Sequence, residues 1–254
     1  MLEVTGLCRN FDGLPALSEV SFGVPRGEVT ALIGPNGAGK TTMINCISGA
    51  DRADAGSVHL SGEEVTGLPA WQLARRGLAR TFQNLRLFPR LSVLDNVLCG
   101  LTVEGGSSLL GALLRPPSLR NRERRLRLRA MAMLDRFQLG ELADWPVGVL
   151  AYGDRKRVEL ARALVSEPAL LLLDEPVAGL NHDETAAVAA EIRALRAHGY
   201  TVLLVEHDMD LVMAVSDRVV VLDGGRCIAR GTPAEIRQNP LVLEAYLGRA
   251  SATA

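Results

Sequence analysis

Short apolar runs alternate with longer stretches of helical periodicity along much of the chain. The clearest runs, rich in Val, Ile and Leu, are Val29 to Ile33, Leu170 to Leu173, Val202 to Val205 and Val219 to Leu222. Strands that are apolar on both faces are typical of parallel sheets covered by helices. The pattern therefore predicts an α/β fold with a mostly parallel, buried sheet.

Two regions differ from this alternation. Near the N-terminus, Leu2 to Val4 and Val20 to Val24 alternate apolar residues with polar or small ones, which predicts a small antiparallel β layer. Between Ser92 and Ser166, helix-forming residues dominate and no strand pattern is convincing. We therefore interpret residues 1–250 as a single domain, with a helical subdomain at about 90–166 inserted in its core.

Composition and charge narrow the class of protein. The chain has 254 residues, of which 48% are apolar, so it can bury a substantial core. Its net charge of -1 provides no global field that would attract nucleic acid or anionic lipid. No apolar run approaches the ~20 residues needed to cross a bilayer, and no export signal is visible at the N-terminus. The four cysteines are scattered without a C-x-x-C pair, which favours reduced thiols. These features predict a cytoplasmic protein.

An arginine-rich segment is the one local charge feature that could suggest another function. Seven arginines fall between Arg115 and Arg129, in a predicted helical stretch that runs from Ser118 to Gly140. Binding of single-stranded nucleic acid would also need aromatic side chains for stacking, and none lies between these arginines. A solvated helix face is the favoured interpretation, with nucleic-acid binding as the alternative.

A glycine-rich loop carries the strongest chemical signal. The stretch from Gly34 to Thr42 matches G-x-x-x-x-G-K-[ST] and lies after a buried strand and before a helix, as that motif requires. Its backbone N–H groups would point at phosphate oxygens, Lys40 would add a charge at the β- and γ-phosphates, and the Thr41 hydroxyl would ligate Mg²⁺. The candidate ATP-binding residues are Gly34, Asn36, Gly37, Ala38, Gly39, Lys40, Thr41 and Thr42.

A second element follows the run from Leu170 to Leu173, which delivers Asp174 and Glu175 to the carboxyl edge of the predicted sheet. Asp174 would hold Mg²⁺ through its water shell, and Glu175 would orient and polarise the attacking water. Acidic pairs at strand ends can also cap helices, but Pro176 directly after this pair favours a turn.

Together these motifs and their order resemble the ABC ATPase family over almost the whole chain. The resemblance implies a P-loop NTPase (RecA-like) core with an antiparallel β layer and a helical subdomain. It also implies roles for residues outside the loop. Gln83 resembles the glutamine that touches metal and water, and His207 resembles the histidine that contacts the γ-phosphate. Phe11 stands where the family stacks an aromatic ring on adenine, a buried core phenylalanine being the alternative.

Two family motifs depart from the usual pattern. Leu150 to Asp154 stands in the place of L-S-G-G-Q, a loop that caps the γ-phosphate held by the opposite subunit. Ala151 cannot supply the serine hydroxyl, whereas the Gly153 amide and the helix dipole remain available. The stretch from Ala178 to Asn181 resembles the family's loop across the dimer interface, with Asn181 where many relatives carry Asp.

Several strings are similar to those of branched-chain amino acid uptake systems and of subunits for related amides and ureas. They are Ala79 to Asn84, Leu150 to Asp154, Ala178 to Asn181, Glu206 to Met209 and Ala245 to Gly248. This resemblance implies an ATP-hydrolysing importer subunit that uses ATP and Mg²⁺.

The resemblance also implies partners and a location. The importer would be completed by integral-membrane permease subunits and by a second ATP-binding subunit, in a homo- or heterodimer. An extracytoplasmic solute-binding protein would be an indirect partner. The chain would lie on the inner face of the cell membrane, and no nucleic-acid partner is expected. The alternatives are an exporter or lipid-extraction ATPase and a soluble nucleic-acid-associated ABC ATPase.

Overall fold

A computed structural model describes residues 1–101 and 117–247. It divides into two compact units: the first comprises Met1–Arg80 and the chain from Ala169 onward, and the second comprises Thr81–Pro168. The second unit begins earlier than the helical subdomain expected at about 90–166. The interpretation of residues 1–250 as a single domain stays a prediction.

The strands are β1 (Leu2–Phe11), β2 (Leu14–Val24), β3 (Val29–Ile33), β4 (Ala55–Leu60), β5 (Glu63–Glu64), β6 (Leu78–Arg80), β7 (Leu170–Asp174), β8 (Val202–Val205), β9 (Arg218–Asp223) and β10 (Arg226–Gly231). The α-helices are α1 (Lys40–Ile47), α2 (Ala70–Arg75), α3 (Val93–Leu98), α4 (Pro117–Arg136), α5 (Tyr152–Leu164), α6 (His182–Ala197), α7 (Met209–Val215), α8 (Pro233–Arg237) and α9 (Pro240–Leu247).

Six of the described strands form one sheet in the order β10-β9-β3-β8-β7-β6. All pairings in it are parallel except that of β10 with β9, and every residue of β3, β7 and β8 is buried. Such burial on both faces explains why these strands are continuous apolar runs. The prediction of a mostly parallel, buried sheet is confirmed.

The remaining described strands form an antiparallel layer in the order β2-β1-β4-β5. Leu2 pairs with Val24 on β2 and with Leu60 on β4, and Val4 pairs with Phe22. All of these side chains are buried, because alternate residues of a strand point to the same face and this face packs into the core. The predicted antiparallel β layer is therefore present.

The second unit is helical, as predicted: its described part contains α3, α4, α5 and short 3₁₀ turns. Val158, Ala161 and Leu164 lie on one face of α5 and are fully buried. Helix α4 ends at Arg136, earlier than the predicted Gly140, because Gln138 adopts a φ of 57° that interrupts the helix.

The arginine-rich stretch lies on α4. Arg120, Arg124, Arg125 and Arg127 are exposed, as expected of a solvated helix face, whereas Arg115 lies outside the described residues.

Candidate functional site

The glycine-rich loop connects β3 to α1, and its neighbours explain two of its glycines. Gly34 has a φ of 152°, and a Cβ there would lie 2.1 Å from the carbonyl oxygen of Leu222. Gly39, at the N-cap of α1, has a φ of 98°, and a Cβ there would lie 2.6 Å from the carbonyl oxygen of Ala16. Backbone conformation and close packing therefore require glycine at both positions.

Lys40 is the first residue of α1 and is only 7% exposed. Its ammonium donates hydrogen bonds to the carbonyl oxygens of Gly34, at 2.7 Å, and Pro35, at 3.1 Å. Burial lowers the pKa of Lys40, and the nearby carboxylate of Glu175 partly offsets this effect. A partly desolvated cation is thus held against the loop that the sequence assigns to phosphate binding.

Asp174 ends β7 and is nearly buried, with 7% of its surface exposed. One of its carboxylate oxygens, Oδ2, accepts a hydrogen bond of 2.9 Å from the guanidinium of Arg80 at the end of β6. Because β6 and β7 are neighbouring parallel strands, both side chains reach the same carboxyl edge of the sheet.

Glu175 follows Asp174 and lies at the start of a turn, as Pro176 suggested. Its φ of 47° is in the left-handed region, which a residue with a side chain rarely adopts. Its backbone N–H donates a 2.9 Å hydrogen bond to the carbonyl oxygen of Val205, the last residue of β8. The backbone of Glu175 is therefore held against the adjacent strand.

His207 comes two residues after β8. Its Nδ1 lies 3.8 Å from Oε2 of Glu175 and 3.8 Å from Oε2 of Glu206, and its side chain is 59% exposed. Glu206 is fully buried and accepts hydrogen bonds from the backbone N–H groups of Val177, at 3.2 Å, and His207, at 3.1 Å. Burial raises the pKa of Glu206, although these amide donors act in the opposite direction. Glu206 thus fixes the backbone from which His207 extends.

Phe11 ends β1 and is 44% exposed, so the alternative of a buried core phenylalanine is wrong. The guanidinium carbon of Arg9 lies 4.5 Å from the centroid of its ring. Arg9 is held in turn by ion pairs of 2.9 Å to both Asp51 and Asp54. The ring of Phe11 therefore lies at the surface of the first unit, in contact with the guanidinium of Arg9, which its two ion pairs hold in place.

Three of the predicted site residues, Gln83, Ala151 and Gly153, belong to the second unit. Gln83 is exposed. Ala151 is the N-cap of α5 and makes no side-chain capping bond, as its methyl group dictates, and Gly153 lies in the first turn. Asp154 forms an ion pair with Arg157 and places a negative charge at the positive end of this helix.

The donor set fits a nucleotide with a magnesium ion. Thr41, an exposed residue, provides a hydroxyl and Asp174 a carboxylate, both in the first unit. Among the described residues, no group of three or more His, Cys, Asp or Glu side chains could hold a metal ion. Mg²⁺ commonly takes one or two protein ligands and completes its shell with water and phosphate oxygens, which matches these two donors.

Comparison with known proteins shows the family to which the chain belongs. Residues 17–178 match the family model described as ABC transporter, and residues 226–252 match one described as branched-chain amino acid ATP-binding cassette transporter. The chain is 45% identical, over 98% of both sequences, to the high-affinity branched-chain amino acid transport ATP-binding protein BraF of Pseudomonas aeruginosa.

The chain belongs to the ABC transporter ATP-binding family. It is therefore an ATPase subunit of a transporter, and it binds nucleotide. Within the described residues, no helix is long and apolar enough to span a membrane.

Two further relatives support the family fold. The ATP-binding protein LivG of Escherichia coli, named for high-affinity branched-chain amino acid transport, is 44% identical over 98% of both sequences. The solved structure of the ADP conformation of MJ1267, an ABC transporter ATP-binding cassette, superposes with a TM-score of 0.84 at 32% identity over 98% of both chains. The predicted P-loop NTPase fold is confirmed.

Two polar arrangements in this ABC ATPase were not anticipated from the sequence. Arg80 was noted only as part of a family string, and its ion pair with Asp174 depends on the pairing of β6 with β7, which no local pattern reveals. Asn181 caps α6: its side chain accepts from the N–H of Glu184 at 3.0 Å, and Glu184 accepts from the N–H of Asn181 at 2.9 Å. The spacing of Asn181 and Glu184 is that of a capping box and could have been recognised.

Proposed function

We propose that this chain powers an importer for branched-chain amino acids or related amides by hydrolysing Mg-ATP. The observation that carries the proposal is the match of residues 226–252 to the branched-chain amino acid model, at the end of a chain whose relatives BraF and LivG are named for that transport. The described part of this segment is built into the first unit. Its residues Ala229, Ile236 and Val242 pack with Ala31 and Ile33 of β3, the strand that leads into the glycine-rich loop.

In this proposal the triphosphate is held by the glycine-rich loop, through residues Gly34, Asn36, Gly37, Ala38, Gly39, Lys40, Thr41 and Thr42. The hydrogen bonds of Lys40 to two loop carbonyls keep its ammonium at the loop, where phosphate oxygens would replace those acceptors. Phe11 stacks on the adenine, since its ring is exposed.

In the nucleotide complex Mg²⁺ would be held by Thr41 and Asp174 of the first unit, and Gln83 is the further metal-contacting residue that the family resemblance implies. When bound, the ion neutralises charge on the phosphate oxygens. Asp174 is nearly buried and held by Arg80, so its carboxylate would keep one orientation.

Glu175 acts as the base that orients and polarises the attacking water, and His207 contacts the γ-phosphate. Support comes from the 3.8 Å separation of the Glu175 carboxylate and the His207 ring, and from the backbone bonds that fix both segments. Ala151 and Gly153 present the start of α5 to the nucleotide of a second ATP-binding subunit, with backbone amides in place of a serine hydroxyl.

The proposed partners are integral-membrane permease subunits, a second ATP-binding subunit in a homo- or heterodimer and, through the permease, an extracytoplasmic solute-binding protein. The chain would lie on the inner face of the membrane. Phe88 in the second unit is 52% exposed beside the part-buried Leu85 and Leu87, which supplies an apolar contact for a permease. Export, lipid extraction and nucleic-acid binding are not favoured, because the named relatives are amino-acid transport subunits.

Uptake measurements test this function. A strain lacking the gene should lose uptake of radiolabelled leucine, isoleucine and valine, or of a related amide. Wild-type protein should restore uptake, and Glu175→Gln protein at equal abundance should not. Unchanged uptake of all these solutes would refute the cargo. Binding of the purified chain to RNA or DNA with a steep dependence on salt, without association with membrane proteins, would instead favour the nucleic-acid alternative.

A further inference from the structure

Arg80 joins the end of β6 to two other elements of the first unit through one guanidinium group. It donates to Oδ2 of Asp174 at 2.9 Å, to Oδ1 of Asn45 at 2.8 Å and to Oγ of Ser48 at 2.7 Å. The side chains of Arg80 and Asp174 are each only 9% exposed. The group is therefore a nearly buried polar network, in which hydrogen bonds are strengthened by the low local dielectric.

Through its partners on α1, Arg80 connects the C-terminal end of that helix to Asp174. Asn45 lies in the last turn of α1 and Ser48 is its C-cap, while the same helix begins at Lys40, followed by Thr41. A helix of this length is a rigid rod of roughly 12 Å. Fixing its far end to Asp174 thus also fixes where the first turn lies relative to that carboxylate.

Arginine suits this position better than lysine. Its planar guanidinium presents donors in a rigid fork, so it can serve a carboxylate with one nitrogen and two neutral acceptors with another. A lysine ammonium is a point charge on a flexible stem and does not reproduce that geometry. The arrangement therefore selects for guanidinium shape as well as for charge.

We propose that Arg80 is a positioning residue that sets the affinity of the nucleotide site for Mg²⁺. It does so by keeping the Asp174 carboxylate at a fixed position relative to Thr41 at the start of α1. The inference rests on the proposed roles of Asp174 and Thr41 toward the metal. Arg80 itself touches neither metal nor nucleotide in this scheme. It acts as partners of metal-bound groups generally do, by orienting a ligand and fixing its contacts.

The test compares Arg80→Met, which keeps apolar bulk, and Arg80→Lys, which keeps the charge, with wild type. Binding of a fluorescent ATP analogue is titrated first in EDTA and then at increasing Mg²⁺. In EDTA, we expect the affinity of Arg80→Met for the analogue to lie within about twofold of wild type. The Mg²⁺ concentration that gives half of the maximal gain in analogue binding should rise about tenfold or more in this variant. Arg80→Lys should show a smaller rise.

Arg76→Met is the matched control. Arg76 is an arginine close to Arg80 in the sequence, but it is exposed and pairs with exposed Glu63 at 3.3 Å. It should behave as wild type. If Arg80→Met fails to fold, Asn45→Ala and Ser48→Ala each remove one anchor on α1 while leaving the ion pair, and each should raise the Mg²⁺ requirement.

Two results would overturn the inference: an unchanged Mg²⁺ requirement in all folded variants, or equal loss of affinity with and without Mg²⁺, which indicates a general structural role. Failure of the proposed metal roles of Asp174 and Thr41 is distinguishable, because wild-type protein would then show no Mg²⁺-dependent nucleotide binding at all, and failure of the proposed cargo would appear in the uptake measurements alone.

Discussion

The Nδ1 atom of His207 lies 3.8 Å from the Oε2 atom of Glu175. The two residues follow β8 and β7, neighbouring parallel strands whose register places Asp174 opposite Val205. Side chains that follow adjacent parallel strands meet at the carboxyl edge of the sheet, where ligands bind in open α/β folds. The base proposed for hydrolysis and the histidine proposed for the γ-phosphate are thus neighbours because of the sheet register.

Glu175→Gln should retain Mg-ATP binding while slowing hydrolysis about 10²-fold or more, since it removes the carboxylate that polarises water but keeps the side-chain shape. Steady-state phosphate release and equilibrium nucleotide binding measure the two effects. The same substitution at the exposed Glu244 on α9 is the control and should leave turnover unchanged. Wild-type turnover in Glu175→Gln would remove Glu175 from the proposed role.

Lys40→Ala should weaken binding of ATP itself, because the triphosphate loses a cation that the loop holds at its own carbonyls. Loss of charged hydrogen bonds worth about 1.5–3 kcal/mol corresponds to roughly tenfold to a hundredfold weaker binding. Titration with a fluorescent ATP analogue measures the change. Arg26→Ala, which removes an exposed cation, should leave the affinity unaltered, and unchanged affinity in Lys40→Ala would contradict the phosphate-binding role.

Local patterns predicted those parts of the molecule that depend on neighbours in sequence. The runs that became β3, β7 and β8 are apolar because both faces of each strand are buried, and this composition is visible without any tertiary information. The glycine-rich loop was likewise recognisable from its spacing and flanks. By contrast, the contacts of Arg80 with Asn45 and Asp174 depend on which strands pair, so no local pattern could supply them.

The burial of Glu206 illustrates the same limit. A glutamate directly after a strand would ordinarily be expected at the surface, but here its carboxylate is enclosed by the backbone amides that follow β7 and β8. Asn181 is a different case, because its capping box with Glu184 depends only on residues three apart and is visible in the sequence itself.

Asn181→Ala should lower the free energy of unfolding by about 1 kcal/mol, since it removes the side-chain acceptor for the N–H of Glu184. Asn181→Asp should preserve stability, because aspartate caps helices as well as asparagine does. Urea denaturation measures both. The pair separates capping from any effect on the dimer: altered ATPase cooperativity in the equally stable Asn181→Asp would come from the interface. Equal stability of Asn181→Ala and wild type would contradict the capping role.

Glu206 should make stability depend on pH in a direction opposite to that of an ion-paired carboxylate. Burial raises the pKa of Glu206, so the native state binds its proton more tightly than the unfolded chain does. Its contribution to the free energy of unfolding is therefore fully present below about pH 4.3, the usual pKa of glutamate, and falls as pH rises through the raised pKa.

Denaturation of wild type and Glu206→Gln at several pH values measures this contribution, because the glutamine does not titrate. The stability of wild type relative to Glu206→Gln should decrease as pH rises from about 4 toward 7. A relative stability that is constant, or that increases with pH, would show that burial does not govern the proton affinity of Glu206 in the native protein.

Phe88 offers a test of how hydrolysis is coupled to transport. Its side chain is 52% exposed, although its backbone is well anchored. The fully buried Asn96 accepts from the N–H of Phe88 at 2.8 Å and donates to its carbonyl oxygen at 3.1 Å. A change of the side chain should therefore alter the surface without releasing the backbone from the second unit.

Phe88→Glu should retain folding and ATP hydrolysis but lose uptake, because a charge at an apolar contact opposes desolvation against the permease. Thermal denaturation, phosphate release and uptake of labelled leucine, isoleucine and valine are measured on the same variant. Leu128→Glu, which changes an exposed leucine on α4, is the control and should keep both activities. Misfolding with loss of both activities would instead assign Phe88 to the core of the second unit, and full uptake by Phe88→Glu would place the permease contact elsewhere on the chain.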